Sequence, residues 1–119
     1  MKVFNPIALK GERIAALYLR NKGFKILESN FRKGYGELDI IATDKDTLVF
    51  IEVKTRTSSK YGNPLEAITP WKLKSLVKTA QYYKITHPKL PDRLRIDAVA
   101  VSLIGGQIKN IEHVKNISA

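Results

Sequence analysis

The stretch Gly36–Arg56 constrains this chain more than any other. It reads GELDIIAT, then Asp44-Lys45-Asp46, then TLVFIEVKTR. Two runs rich in β-branched and apolar residues, joined by residues that favour turns, spell a β-hairpin. A turn centred between Lys45 and Asp46 makes the numbers of paired residues add up to 91. The register is the same whether the loop is Lys45-Asp46 alone or runs from Asp44 to Thr47. It puts Asp39 opposite Glu52 and Glu37 opposite Lys54. Opposed residues have Cβ atoms about 4.5–5.5 Å apart, while Leu38, Ile40, Val49, Ile51 and Val53 make the other side apolar. Two like charges in the middle of such a hairpin need a compensating cation. Lys54 is one candidate. A divalent metal is the other, since Mg²⁺ is held by one or two carboxylates together with water and phosphate oxygens. The plainer reading of Glu52-Val53-Lys54 is a surface ion pair, but the facing Asp39 and the apolar opposite side argue for a site. Glu37 either tunes Lys54 or is its salt-bridge partner, and the second reading is preferred.

The charge balance says what such a site would meet. The 119 residues carry 21 Lys and Arg against 11 Asp and Glu, a formal net charge of +10. That excess points to a polyanionic partner, nucleic acid foremost. Apolar residues at 44% and charged residues at 27% suit one folded domain over residues 1–119. The absence of cysteine excludes disulfides, cysteine zinc sites and thiol nucleophiles, and fits the cytoplasm. His87 and His113 lack ligand spacing. The run Ala98–Ile104 is broken by Ser102 and too short to cross a bilayer. Met1–Pro6 has no signal-peptide core, so no membrane partner is expected.

Around the hairpin the chain alternates between the helical and the strand period. Asn5-Pro6 is a cap followed by a first-turn proline. Leu9, Ala16 and Leu19 then recur at helical spacing, beside Ile14, Leu17 and Tyr18, until Gly23 stops the helix. Phe24–Phe31 reads as a strand with Phe24, Ile26 and Glu28 on one face. Thr57–Thr69 begins as a loop. Thr69-Pro70 caps a second helix running to Ile85, with Leu73, Leu76, Val77 and Ala80 inward. His87-Pro88 and Pro91 end it. Strands follow at Leu94–Leu103 and, past Gly105-Gly106, at Gln107–Glu112. The order is α-β-β-β-α-β-β.

Glu12 shares a helical face with Ala8, Ala15, Ala16 and Leu19. It is read equally well as an acid aimed at the sheet or as an acid at the stripe's edge paired with a lysine. The basic residues suggest a nucleic-acid track: Arg32 and Lys33 before the hairpin, Arg56 and Lys60 after it with Tyr61, and Lys72, Lys74, Lys78 and Lys84 on the second helix. Lys72 stands in a first turn, where a cation opposes the helix dipole, so a ligand or Glu66 better explains it. Lysines such as Lys74 and Lys84 are read equally as a solvated face. Tyr61 and Trp71 can stack on bases, and core packing is at least as good a reading for Trp71. Arg95 and Asp97 read as an ion pair.

At Gly36-Glu37-Leu38-Asp39-Ile40-Ile41-Ala42 and Phe50-Ile51-Glu52-Val53-Lys54-Thr55-Arg56, with Gly11-Glu12 before and Arg95-Ile96-Asp97 after, the chain resembles the YraN-type uncharacterised protein family. The resemblance covers residues 11 to 101. That family in turn looks like the restriction-endonuclease-like superfamily, with its Asp…(Asp/Glu)-x-Lys signature, and like the archaeal Holliday-junction resolvases. The resemblance implies a three-layer α/β fold with a central mixed sheet flanked by helices. It implies Asp39 and Glu52 as metal ligands, Lys54 as the catalytic lysine and Glu12 as the helical acid of the resolvases. The implied activity is Mg²⁺-dependent hydrolysis of phosphodiester bonds in DNA, branched DNA included, with Mn²⁺ able to substitute. Resolvases work as dimers, so a homodimer is among the expectations. Two features depart from the pattern. Leu38-Asp39 replaces the Pro-Asp of many members, and Ile85 stands four after Gln81, where the exonuclease branch has tyrosine. The alternatives are a non-catalytic nucleic-acid-binding protein of the same fold, or a small basic interaction protein in which the acids are structural.

Overall fold

In the computed structural model, residues 5–34, 36–58, 66 and 68–118 are described. The hairpin forms in the expected register. Strands β2 (Gly36–Asp44) and β3 (Thr47–Arg56) pair antiparallel from Ile40–Ile51 to Asp44–Thr47. The turn closes on Lys45, whose φ of 56° is in the left-handed region. Five strands make one sheet: β1 (Lys25–Lys33), β2, β3, β4 (Arg93–Ile104) and β5 (Gln107–Val114), in that spatial order. All neighbours are antiparallel except β3 and β4, which run parallel from Thr47–Arg93 to Arg56–Ser102. A parallel pair needs a crossover. It is supplied here by a segment containing helix α2 (Pro70–Thr86). With helix α1 (Pro6–Asn21) the chain order is α-β-β-β-α-β-β. β5 continues two residues past the expected end, and β1 and β4 shift by a residue or two.

The sheet is covered on both sides, which is why β3 and β4 are nearly continuous apolar runs instead of alternating ones. One core holds Ile40, Ala42, Val49, Ile51, Val99 and Val101 against Ala15 and Leu19 of α1. The other holds Leu38, Ile41, Leu48, Phe50 and Ile96 against Leu76, Ala80 and Tyr83 of α2. Each large side chain buried this fully contributes about 1.5–3 kcal/mol. The layers are helix, mixed sheet, helix.

The caps follow the sequence signals. Asn5 Oδ1 accepts from the amides of Ile7 and Ala8, and Thr69 Oγ1 from that of Lys72. At the end of α1, Gly23 (φ 96°) donates to the Arg20 carbonyl and Phe24 donates to that of Leu19, the paired bonds of a glycine-terminated helix. The buried stripe of α1 is Gly11, Ala15 and Leu19; Ala15 and Leu19 lie on the face read for Glu12, Gly11 was not singled out, and Leu17 is 58% exposed. The stripe's small residues let the helix lie low on the sheet. A Cβ added at Gly11 would come within 1.8 Å of Thr55 Oγ1. Apolar spacing alone selects larger residues and misses a glycine that faces inward.

The expected Arg95–Asp97 pair is part of a buried network. Arg95 Nε donates to Asp97 Oδ1 at 2.8 Å, and one of its terminal nitrogens reaches both Asp97 Oδ2 and Asp44 Oδ2 at 3.0 Å. His113 Nε2 lies 2.9 Å from Asp97 Oδ2, and the Asn116 amide donates to Asp97 Oδ1 at 2.9 Å. Burial alone would raise the Asp97 carboxyl, but its donors His113, Arg95 and Asn116 outweigh it and hold the group below its ordinary range. The network ties β2, β4, β5 and the segment after β5 together. Among the described residues, no helix is long and apolar enough to cross a membrane.

Candidate functional site

At Asp39 the sheet loses its regularity. The paired ladder of β2 and β3 ends at Ile40–Ile51, and the Val53 amide donates to Asp39 Oδ2 at 2.8 Å. The carboxylate takes the place of a backbone carbonyl as a rung. On the other neighbour, Ser29 pairs with Ile40 and Phe31 with Leu38, while Asn30 between them has a φ of 56°. Such a residue breaks the two-residue alternation of side chains. At the same level Leu38 joins the α2 core and Ile40 the α1 core, although the sequence reading put both on one side. Asp39 sits where the parity changes.

Two further acids act on Asp39 here. Glu52 alternates with Phe50 and so faces α2. The Glu52 carboxyl hydrogen-bonds with that of Asp39, and both are buried, at 3% and 7% exposure. Glu12 comes from α1, half-buried with its Oε1 enclosed, and its charge also acts on Asp39. Burial, then the hydrogen bond and charge of Glu52, push the Asp39 carboxyl up to about 8. The Val53 amide pulls the other way, and Glu12 adds to the rise.

Two cations face this cluster. Lys54 Nζ lies 3.8 Å from Glu52 Oε2, and Lys72 Nζ lies 3.5 Å from the same oxygen. Lys72 was expected on the nucleic-acid track or beside Glu66. Its position in the first turn of α2 is explained instead by Glu52. The signal was the misfit of a lysine in that turn, but its partner lies twenty residues back on another element, which local spacing does not reveal. Glu37, expected to pair with Lys54, is held by Arg32 at 3.1 Å along the β1–β2 register. Lys33 lies over the Tyr82 ring, 5.6 Å from its centre. Arg56 closes β3. Lys60 and Tyr61 lie outside the described residues.

Three further expectations change. Glu28 does not share a face with Phe24 and Ile26, because the β1 register shifts between Ile26 and Glu28 and turns the acid toward α2. There it accepts from the Tyr83 hydroxyl at 3.0 Å. Trp71 does not pack in the core, being 74% exposed. Lys84 belongs to the scaffold, with Nζ 3.0 Å from Asp92 and bonded to the Pro88 and Leu90 carbonyls.

The donor set decides what this site can hold. Among the described residues, no group of three or more His, Asp or Glu side chains gathers as a metal cage. Asp39 and Glu52 nevertheless form a pair of hard oxygen donors in contact, one of them destabilised as an anion. Two carboxylates are the usual protein share of a Mg²⁺ site that completes its shell with water and phosphate, so the residues fit that ion. Zinc or a soft metal would want nitrogen or sulfur ligands that are absent from this cluster.

The comparisons with known proteins fall on the same stretch. The model of the uncharacterised protein family UPF0102 matches residues 11–101. A UPF0102 protein of Syntrophomonas wolfei subsp. wolfei is 44% identical over 110 residues, covering 92% of this chain and 95% of its own. A second, from Chlorobium phaeobacteroides, is 41% identical over 117 residues, covering 94% and 93%. A third, from Persephonella marina, is 41% identical over 107 residues, covering 90% and 88%.

Proposed function

We propose that this chain, which belongs to the uncharacterised protein family UPF0102, is a divalent-metal-dependent nuclease that hydrolyses phosphodiester bonds in DNA. The observation that carries the reading is the contact between two buried carboxyls, Asp39 and Glu52, at the end of the β2–β3 ladder, with Lys54 and Lys72 on Glu52. The net charge of +10 supports a polyanionic substrate.

Asp39 and Glu52 would hold Mg²⁺, or Mn²⁺ in its place. Such an ion, when bound, neutralises phosphate charge and acidifies a water. The remaining chemistry falls to the chain. In hydrolysis a water oxygen bonds to phosphorus while the bond from phosphorus to the leaving sugar oxygen breaks, and that oxygen ends protonated. Charge grows on the phosphoryl oxygens, and a fixed cation aimed at them stabilises the transition state. Lys54 is one-third exposed and adjoins the acids, so it is placed to contact the phosphate and orient the water. Lys72 is similarly exposed on the opposite element and provides a second contact. The hydrogen bond from the Val53 amide fixes Asp39 Oδ2 and so orients the carboxyl that would help hold the ion. Glu12 adds negative potential, which favours a divalent cation.

A cleavage panel tests this, with duplex, single-stranded, flap and four-way-junction DNA in Mg²⁺ and in Mn²⁺. Cleavage lost in Asp39→Asn and in chelator supports the reading. Tight DNA binding with no cleavage of any substrate replaces it with a second reading, a nucleic-acid-binding protein of the same fold that does not cut. One observation favours that alternative: Lys54 and Lys72 already supply Glu52 with counter-charge.

A further inference from the structure

The outward side of α2 carries an aromatic and basic stripe. Trp71, Lys74, Lys78 and Tyr82 follow one another at three- and four-residue steps, so they share a stripe. The stripe points away from the buried Leu76, Ala80 and Tyr83. Trp71 is the single tryptophan of the chain, and it is left 74% exposed at the start of the helix. Its sequence neighbour Lys72 reaches into the acid cluster. Lys74 and Lys78 are exposed, and Lys33 of β1 lies over the Tyr82 ring. The helix has four lysines and no Asp or Glu, its first turn included. Two of its lysines face acids of other elements, Lys72 on Glu52 and Lys84 on Asp92, while Lys74 and Lys78 add positive charge to the outward side. From Trp71 to Tyr82 is roughly 16 Å at the helical rise, about five stacked nucleotides at 3.4 Å each.

We infer that this stripe is the track for an unpaired DNA strand leaving the acid cluster, with Trp71 as the platform on which its first base stacks. The inference rests on the nuclease reading for the position of the scissile phosphate and deepens it by naming the substrate class: DNA with unpaired nucleotides beside the cut. A ring stacks on a base only when the face of that base is open, which a continuous duplex denies. Such stacking tolerates any sequence because every base has a π face. Lys74 and Lys78 carry the backbone phosphates that follow, and the Lys33–Tyr82 pair ends the track.

Trp71 is also a built-in reporter. The full chain is titrated in chelator with a fifteen-nucleotide oligothymidine and with a blunt fifteen-base-pair duplex, following tryptophan fluorescence and, in parallel, the anisotropy of labelled DNA. The oligothymidine is expected to quench the fluorescence, and the duplex to bind with much less quenching. Trp71→Ala should bind oligothymidine roughly tenfold more weakly, while Trp71→Phe keeps most of the affinity. Both variants should melt like the parent, since the side chain is exposed. Oligothymidine binding without quenching, an unaffected Trp71→Ala, or no binding of oligothymidine overturns the inference. No step needs metal or turnover. A chain that quenches but never cuts refutes the nuclease alone, whereas one that cuts without quenching refutes the platform alone.

Discussion

Replacing Asp39 by asparagine tests the electrostatics of the acid cluster without reference to any substrate. The carboxyl of Asp39 is pushed up to about 8 in the folded chain, against an ordinary 3.8. Between those values the native protein holds one proton that the unfolded chain has lost. Stability depends on pH through the difference in protons bound, so each such proton lowers it by up to about 1.4 kcal/mol per pH unit as the pH rises. The sign is that of a raised pKa: the contribution is complete below about pH 4 and is lost as the pH climbs through about 8. From pH 5.5 to 7.5 the metal-free parent should lose about 2–3 kcal/mol through this group, or on the order of 10 °C in melting temperature for a domain of this size. The variant amide carries no such proton. Its oxygen can still accept from Val53 and its nitrogen can donate to Glu52, so it imitates the protonated acid. The assay is urea unfolding in chelator at half-unit steps of pH, read as the difference between parent and variant so that all other groups cancel. The parent should fall away from the variant as the pH rises. Added Mg²⁺ should restore the parent most at high pH, because a metal must displace the same proton. Parallel stability curves for the two proteins over pH 5–8 would refute the reasoning.

Three further outcomes are expected. Lys54→Ala should lower turnover by two or more orders of magnitude and weaken DNA binding far less, because a cation aimed at developing charge acts mainly on the transition state; single-turnover cleavage beside equilibrium binding separates the two. Gly11→Ala should destabilise by about 1–3 kcal/mol in urea titration, since its Cβ would meet Thr55 Oγ1 at 1.8 Å; an unchanged midpoint would mean that α1 can rise off the sheet freely. Asp97→Ala should lose about 2–4 kcal/mol by the same assay, because it leaves Arg95 with Asp44 alone and takes the acceptor from His113 and the Asn116 amide in a buried setting; on the nuclease reading, Mn²⁺ binding in calorimetry should be unchanged.

Much of this architecture was legible in local spacing. The hairpin register, the caps at Asn5 and Thr69 and the stop at Gly23 depend on residues within a few positions of one another, and they stand as read. The contact of Asp39 with Glu52 follows from the register one step beyond its last paired rung. What escaped depended on the third dimension. Leu38 changes sides at Asp39, level with Asn30 and its left-handed φ on the neighbouring strand. Glu28 turns with the register shift in β1. Lys72 finds Glu52 only because α2 folds back over the sheet, a pairing that no local spacing shows. Trp71 has the composition of a core residue, and only the orientation of α2 shows that it faces out. Glu12 was legible as an acid on a face of small residues but not as a neighbour of Asp39, since no pairing rule relates a helix to the strand beneath it.

The rung that Asp39 makes with Val53 affects how variation at the site should be read. A side chain that completes the sheet is kept for folding whether or not it ever meets a metal. An acid or an asparagine at 39 is therefore weak testimony about chemistry, for either can accept from the amide of Val53. Lys54 stands differently, partly exposed and joined to Glu52 at 3.8 Å. Its replacement removes one of two counter-charges from Glu52 but no rung of the sheet. A chain that ceased to cut DNA would be free to lose that lysine long before it could lose Asp39. On the nuclease reading, position 54, not the acid at 39, is where a chain that cuts can be told from one that has ceased to.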